Sequence, residues 1–199
     1  MKTKNIAYLG LVIPLVFWGT DGICAYMTEN YNPLSNMVSE LGAIGTKTRY
    51  IFTAGLVVCA VLSLLFCMGL INTARKASLN ILPLILIFTY SFSVFGAAVF
   101  PLPLKLHGIL GSPVMLLPLS PLFALIFWKE DKFAKMATSL ILIIMLAGYL
   151  TLLPNVLENY FGLKQRFFHV GWSLWFAYLS FKFLHLQKQF EIIQSTATN

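Results

Sequence analysis

Tyr50–Ile71 reads YIFTAGLVVCAVLSLLFCMGLI, an uncharged run broken only by Thr53 and Ser63. A helix needs roughly 20 such residues to cross the hydrocarbon core of a bilayer. No water is available there to bond backbone groups, so the run predicts a helix rather than a strand. Working outward, Ile6–Met27, Ile81–Phe100, His107–Trp128, Thr138–Leu157 and Phe167–Leu186 repeat the pattern. The expected fold class is all-α: a polytopic bundle of six transmembrane helices, one domain over residues 1–199.

Composition leads to the same class. Of 199 residues, 58% are hydrophobic and 11% charged, too few polar groups to cover a soluble domain of this size. The net charge of +7 comes from Lys and Arg scattered over short loops and tails. No basic run or nucleic-acid motif accompanies it, which excludes nucleic acid as the expected partner and leaves membrane lipids. Cys24, Cys59 and Cys67 all lie inside apolar runs and read as free thiols filling space. Lys2 and Lys4 ahead of an apolar run resemble a signal peptide. The length of the run, Asp21 within it and the lack of an A-x-A site predict a retained first helix.

An even number of crossings places both termini on one side. That side would hold Lys2, Lys4, Arg75, Lys76, Lys129, Lys132, Lys135, Lys182 and Lys188; the other would hold Lys47, Arg49, Lys105, Lys164 and Arg166. The positive-inside bias makes both termini cytoplasmic. The longest connection, Thr28–Arg49, is then external and is expected to carry a short interfacial helix over Asn32–Gly42. Asn32 would cap it, Pro33 suits its first turn, and Gly42 and Gly45 end it.

Small residues and prolines predict how the helices meet. Gly55, Cys59, Ser63 and Cys67 recur every four positions, and Gly108 and Ser112 repeat the spacing in the fourth run, a pattern that lets helices approach closely. Pro14, Pro83, Pro113, Pro118, Pro121 and Pro154 fall inside the runs. The fourth, with three of them, should be the most distorted.

Three blocks carry a resemblance: YNPLSNMVSELGAIGTKTRYIFTAGL at Tyr31–Leu56, FPLPLKLHGILG at Phe100–Gly111 and GLKQRFFHVGW at Gly162–Trp172. Together they resemble the domain-of-unknown-function 998 family of polytopic membrane proteins. That resemblance implies the six-helix architecture, draws attention to Ser39, Glu40, His107, Arg166 and His169, and implies no activity or cofactor.

The residues capable of chemistry gather toward the external ends of the runs. Asp21, near the end of the first, is costly in lipid and predicts a protein or water environment, with Arg49, Arg166 or a histidine as its partner. His107 and His169 open the fourth and sixth runs; with Asp21 or Glu40 they have the makings of a general acid–base pair. Ser39 is a candidate nucleophile, although no G-x-S-x-G elbow surrounds it, and local bonding explains it equally well. Arg49, Lys164 and Arg166 suit a phosphate grip or an anchor in anionic lipid. Thr151, Asn155 and Glu158 would line the fifth run as a polar stripe. With no H-E-x-x-H and no close histidine pair, no metal is assigned. The function expected is lipid binding or lipid modification, as hydrolase or transferase, at a polar pocket facing the external leaflet. The alternative is a small transporter or accessory or structural subunit using Asp21 and the histidines as an ion or proton relay.

Overall fold

A computed structural model describes residues 6–197 of the chain, and among them there is no strand. Lys2 and Lys4, counted in the charge bias, lie outside the described residues. The helices are α1 (Leu9–Met27), α2 (Arg49–Lys76), α3 (Leu82–Val99), α4 (Lys105–Phe127), α5 (Lys132–Leu152) and α6 (Phe161–Ala197). The first five are long and apolar enough to cross a membrane.

The sixth, α6, is not among those five. Its middle is rich in Trp, Tyr, Ser and Lys182, which lower its hydropathy, and it serves instead as the packing axis. Trp172, Trp175, Phe176, Leu179 and Phe183 are all fully buried. Trp172 meets Tyr90 of α3 at 4.6 Å between ring centroids, and Phe176 meets Phe66 of α2 at 5.6 Å. Ser173 and Ser180, one face of α6, are taken up by α1: Trp18 Nε1 donates to Ser173 Oγ at 3.1 Å, and Ser180 Oγ donates to the Ala7 carbonyl at 2.6 Å.

Several boundaries differ from the sequence reading, each for a local reason. Helix α2 runs on to Lys76 because Thr73 and Ala74 are buried and extend the packed face. Helix α5 begins at Lys132, where the Asp131 carboxylate caps it by accepting from the Ala134 amide at 2.8 Å. It tightens into a 3-10 turn at Gly148–Leu152 and stops before Pro154. Thr151, Asn155 and Glu158 therefore do not form a helical stripe. The segment expected to be helical from Asn32 is a 3-10 helix over Val38–Gly42 only. Asn32 instead accepts from the Leu34 amide at 3.0 Å, an Asx turn that competes with helix initiation.

The fourth helix is the most interrupted, as its prolines predict. It consists of Lys105–Gly111, a 3-10 stretch at Ser112–Leu116 and a second α-helical piece at Leu119–Phe127. The small residues of α2 make close contacts. A Cβ on Gly55 would meet Thr20 of α1 at 2.3 Å, Ser63 Oγ lies 2.8 Å from Ser91 Oγ of α3, and Cys67 Sγ donates to the Leu84 carbonyl. Gly108 behaves differently: it is exposed and a Cβ there would meet nothing within 4 Å. The spacing it shares with Ser112 is not a helix contact.

Candidate functional site

The three sequence blocks meet at the end of the bundle where α1 finishes, here termed the Asp21 end. The Ile44 amide donates to the Leu102 carbonyl at 2.8 Å, joining the first block to the second. The first block also closes the start of α6, whose opening amides have no partners of their own. Gly162 and Leu163 amides donate to the Ser35 and Leu34 carbonyls, and the Val38 amide donates to Gln165 Oε1 at 2.7 Å. Gly162 is required by this approach, since a Cβ there would lie 2.2 Å from the Asn36 carbonyl oxygen.

Arg166 fastens the joint. One terminal nitrogen donates to the carbonyls of Pro33 at 2.6 Å and Asn36 at 3.1 Å. The other donates to Asp21 Oδ1 at 3.2 Å and to Tyr31 Oη at 2.8 Å. The Asp21 carboxylate is thus paired from across the bundle, its side chain only 10% exposed. Of the partners considered for Asp21, the fold selects Arg166. The Tyr31 hydroxyl passes its own proton to the Met37 carbonyl. Burial pushes that phenol above its ordinary value, opposed by the Arg166 hydrogen bond, so it remains a donor into alkaline pH.

Other candidates are similarly occupied. Glu40 accepts from the Met37 amide and from Asn36 Nδ2, closing the 3-10 turn on itself. Lys164 is fully buried and donates to the Leu153 and Val156 carbonyls in the turn that follows α5. Its ammonium also lies over the Phe161 ring. Arg49 lies over the Tyr50 ring, and Glu158 is exposed. Among the described residues, no group of three His, Cys, Asp or Glu side chains gathers in metal-binding geometry.

Behind this joint lies a cavity of about 360 Å³, within the size range of small-molecule sites. Ser39, His107 and His169 line it, whereas Asp21, Glu40 and Arg166 do not. Most of its wall is apolar, including Phe17, Phe52, Leu56, Val94 and Phe168. One flank is the first half of α4, from His107 to Met115; the opposite flank is Gly148 and Thr151 of α5 with Gln165–Trp172 of α6. The Tyr149 hydroxyl donates to the Met115 carbonyl and ties the flanks together at the deeper edge. Toward the surface, Gly108 leaves the α4 flank open beside exposed Leu104 and Ile109.

The two histidines present opposite faces to this space. His107 Nδ1 lies 2.9 Å from the Phe100 carbonyl oxygen and 3.2 Å from that of Ala97, so Nδ1 carries a proton and donates. His169 is reversed: Trp172 Nε1 donates to its Nδ1 at 3.0 Å, which leaves Nε2 as the N–H donor. That Nε2 is buried without a hydrogen-bond partner, as are Tyr90 Oη and Ser93 Oγ. All three residues line the cavity. Tyr90 and Ser93 were not singled out in the sequence, where Thr89 and Ser91 beside them make a run of hydroxyls from which spacing alone selects no pair.

The family model described as a protein of unknown function, DUF998, matches residues 11–182. The chain belongs to the DUF998 family. No curated protein and no solved structure matches it. In this DUF998 protein, then, the joint and the cavity behind it must be understood from their own chemistry.

Proposed function

We propose that this DUF998 protein is a multi-pass membrane protein that holds a lipid-derived or other apolar molecule in the cavity at its Asp21 end. The observation that carries the reading is a space of about 360 Å³ walled mostly by apolar side chains, with no Lys, Arg, Asp or Glu among its described lining residues. The open flank at Gly108, beside apolar side chains, gives such a molecule a path from the bilayer.

In the same reading α6 is the sixth crossing of a single membrane domain, and the cytoplasmic excess of Lys and Arg sets the Asp21 end outside. Ser39, His107 and His169 are then the ligand-facing candidates. Asp21, Glu40, Lys164 and Arg166 are frame residues. This division favours ligand holding over an ion or proton relay, because Asp21 is already committed to Arg166.

Filling the cavity tests the proposal. Gly111 lines it, and a Cβ there meets only the Ala97 Cβ, at 3.9 Å. Gly111→Leu should fold with an unchanged melting temperature in detergent and lose the hydrophobic molecule that wild type retains in native mass spectrometry. Equal adducts on both proteins would refute the reading.

A further inference from the structure

We propose that the end of the bundle opposite Asp21 is a docking surface for anionic phospholipid headgroups, gripped by exposed cations of α2, α5, α6 and the α4–α5 connection; it rests on the multi-pass reading and is independent of the cavity. Three ties gather these cations at one end. Gln187 Nε2 of α6 donates to Thr73 Oγ1 of α2 at 3.1 Å, which brings Lys188 and the Arg75–Lys76 pair to the same junction. Trp128 Nε1 donates to the Asn80 carbonyl at 2.8 Å and holds the connection after α2 against the end of α4. Lys182 Nζ donates to Glu130 Oε1 at 2.6 Å and holds the α4–α5 connection against α6, with Lys129, Lys132 and Lys135 on it and just beyond.

What distinguishes this end is that its cations are unpaired. Among the described residues, the side chains of Arg75, Lys76, Lys129, Lys132, Lys135 and Lys188 are exposed, and none makes a hydrogen bond or ion pair within the chain. Neither acid of the α4–α5 connection serves them: Glu130 is held by Lys182 and Tyr178, and Asp131 caps α5. At the Asp21 end the reverse holds. Arg166 and Lys164 are engaged within the fold, Lys47 pairs with Glu29, Arg49 lies over the Tyr50 ring, and Lys105 alone is left. A bias in the number of cations sets orientation. The bias in their pairing leaves one end with cations able to take a phosphate.

Apolar side chains among the lysines favour a lipid over a soluble polyanion. Phe133 and Met136, 78% and 61% exposed, alternate with Lys132 and Lys135 over the first turns of α5. A nucleic acid would meet the charges and leave both apolar side chains in water. A phospholipid surface meets both, with phosphates at the lysines and acyl chains beneath them at Phe133 and Met136.

Native mass spectrometry of the full chain in detergent tests this with three probes of equal phosphate content: dioleoylphosphatidylglycerol, dioleoylphosphatidylcholine and an oligothymidylate. The two lipids bring the same acyl chains, so a difference between them reads the headgroup. Wild type should retain the phosphatidylglycerol about tenfold more than the phosphatidylcholine. Lys129→Gln with Lys132→Gln and Lys135→Gln removes three cations that have no partner in the chain. That triple variant should melt as wild type does and lose most of the preference. Arg75→Gln with Lys76→Gln reaches the same surface from α2 and should also reduce it. Lys47→Gln with Lys105→Gln, the equivalent change at the Asp21 end, should keep it in full. Equal retention of the two lipids by wild type, a preference undiminished in either variant of the docking surface, or one lost equally at the Asp21 end would each overturn the proposal. Tighter retention of the oligothymidylate would assign the surface to a soluble polyanion and overturn it too. Loss of the preference in Gly111→Leu would relocate the anionic lipid to the cavity, overturning this proposal and leaving the ligand-holding reading intact.

Discussion

At the residue scale, Arg166 and Asp21 show how one ion pair can serve the frame of a site rather than its chemistry. Both side chains are about nine-tenths buried, and the guanidinium also satisfies two carbonyls of the 33–36 turn. Removing one partner of such a pair leaves an uncompensated charge, a loss of about 3–5 kcal/mol. Arg166→Met should therefore lower the melting temperature sharply. Asp21→Asn combined with Arg166→Met should lose clearly less than the two single changes together. Strictly additive losses in detergent melts would mean that the two residues do not interact. In the sequence both residues stood out, because charge near an apolar run is conspicuous. Arg166 was among the partners the sequence offered Asp21, but its grip on the Pro33 and Asn36 carbonyls was not legible, because those partners belong to backbone, which composition does not reveal. Lys164 was hidden for the same reason. A fully buried lysine makes sense only once the helix ahead of it has ended at Leu152 and the turn after it has folded its Leu153 and Val156 carbonyls toward the ammonium.

At the element scale, the connection 28–48 and the start of α6 form one unit. Two backbone hydrogen bonds, the Gln165 bridge and the Arg166 fork hold them together over a separation of more than a hundred residues. Gly162 is the tightest point of that unit. Gly162→Ala would drive a methyl group into the Asn36 and Pro33 carbonyls, with an overpacking cost of about 1–3 kcal/mol. Limited proteolysis should then cut the 28–48 connection faster than in wild type, and unchanged cleavage would show that the contact is dispensable. The helices themselves were legible as apolar runs. Their ends were legible only where a cap or proline marked them, as at Pro154; Asp131 was an available cap that the apolar count overlooked. The interfacial helix failed because Asn32 and Pro33 suit a turn as well as a helix start, and the Asx bond to Leu34 chose the turn. The middle of α6 has its own fastening, equally invisible in the sequence pattern. Lys182 Nζ donates to Glu130 Oε1 at 2.6 Å and Tyr178 Oη donates to Oε2, tying α6 to the connection between α4 and α5.

At the scale of the whole molecule, packing is uneven in a way that suits a site. Around Phe66, Tyr90, Trp172 and Phe176 the bundle is closed by interlocked aromatic rings. Above them, the first half of α4 is backed by α3 but faces the cavity on its other side, and its 3-10 stretch weakens its own ladder. Amide exchange in detergent should accordingly be faster across Lys105–Leu116 than across Leu119–Phe127, and a hydrophobic molecule held in the cavity should slow it selectively. Uniform exchange along α4 would contradict this division. Sequence reading anticipated the distortion from proline content. It took Gly108 and Ser112 for a contact stripe because small residues look alike whether they touch a neighbour or leave room for a guest.

The pairing of the first helix with the last also has a consequence for biogenesis. Asp21 leaves the ribosome well before Arg166 exists, so the newly made first helix carries a solitary carboxylate while four more helices are synthesised. Only the arrival of the sixth neutralises it and seats the early loop, which makes completion of the Asp21 end the closing event of assembly.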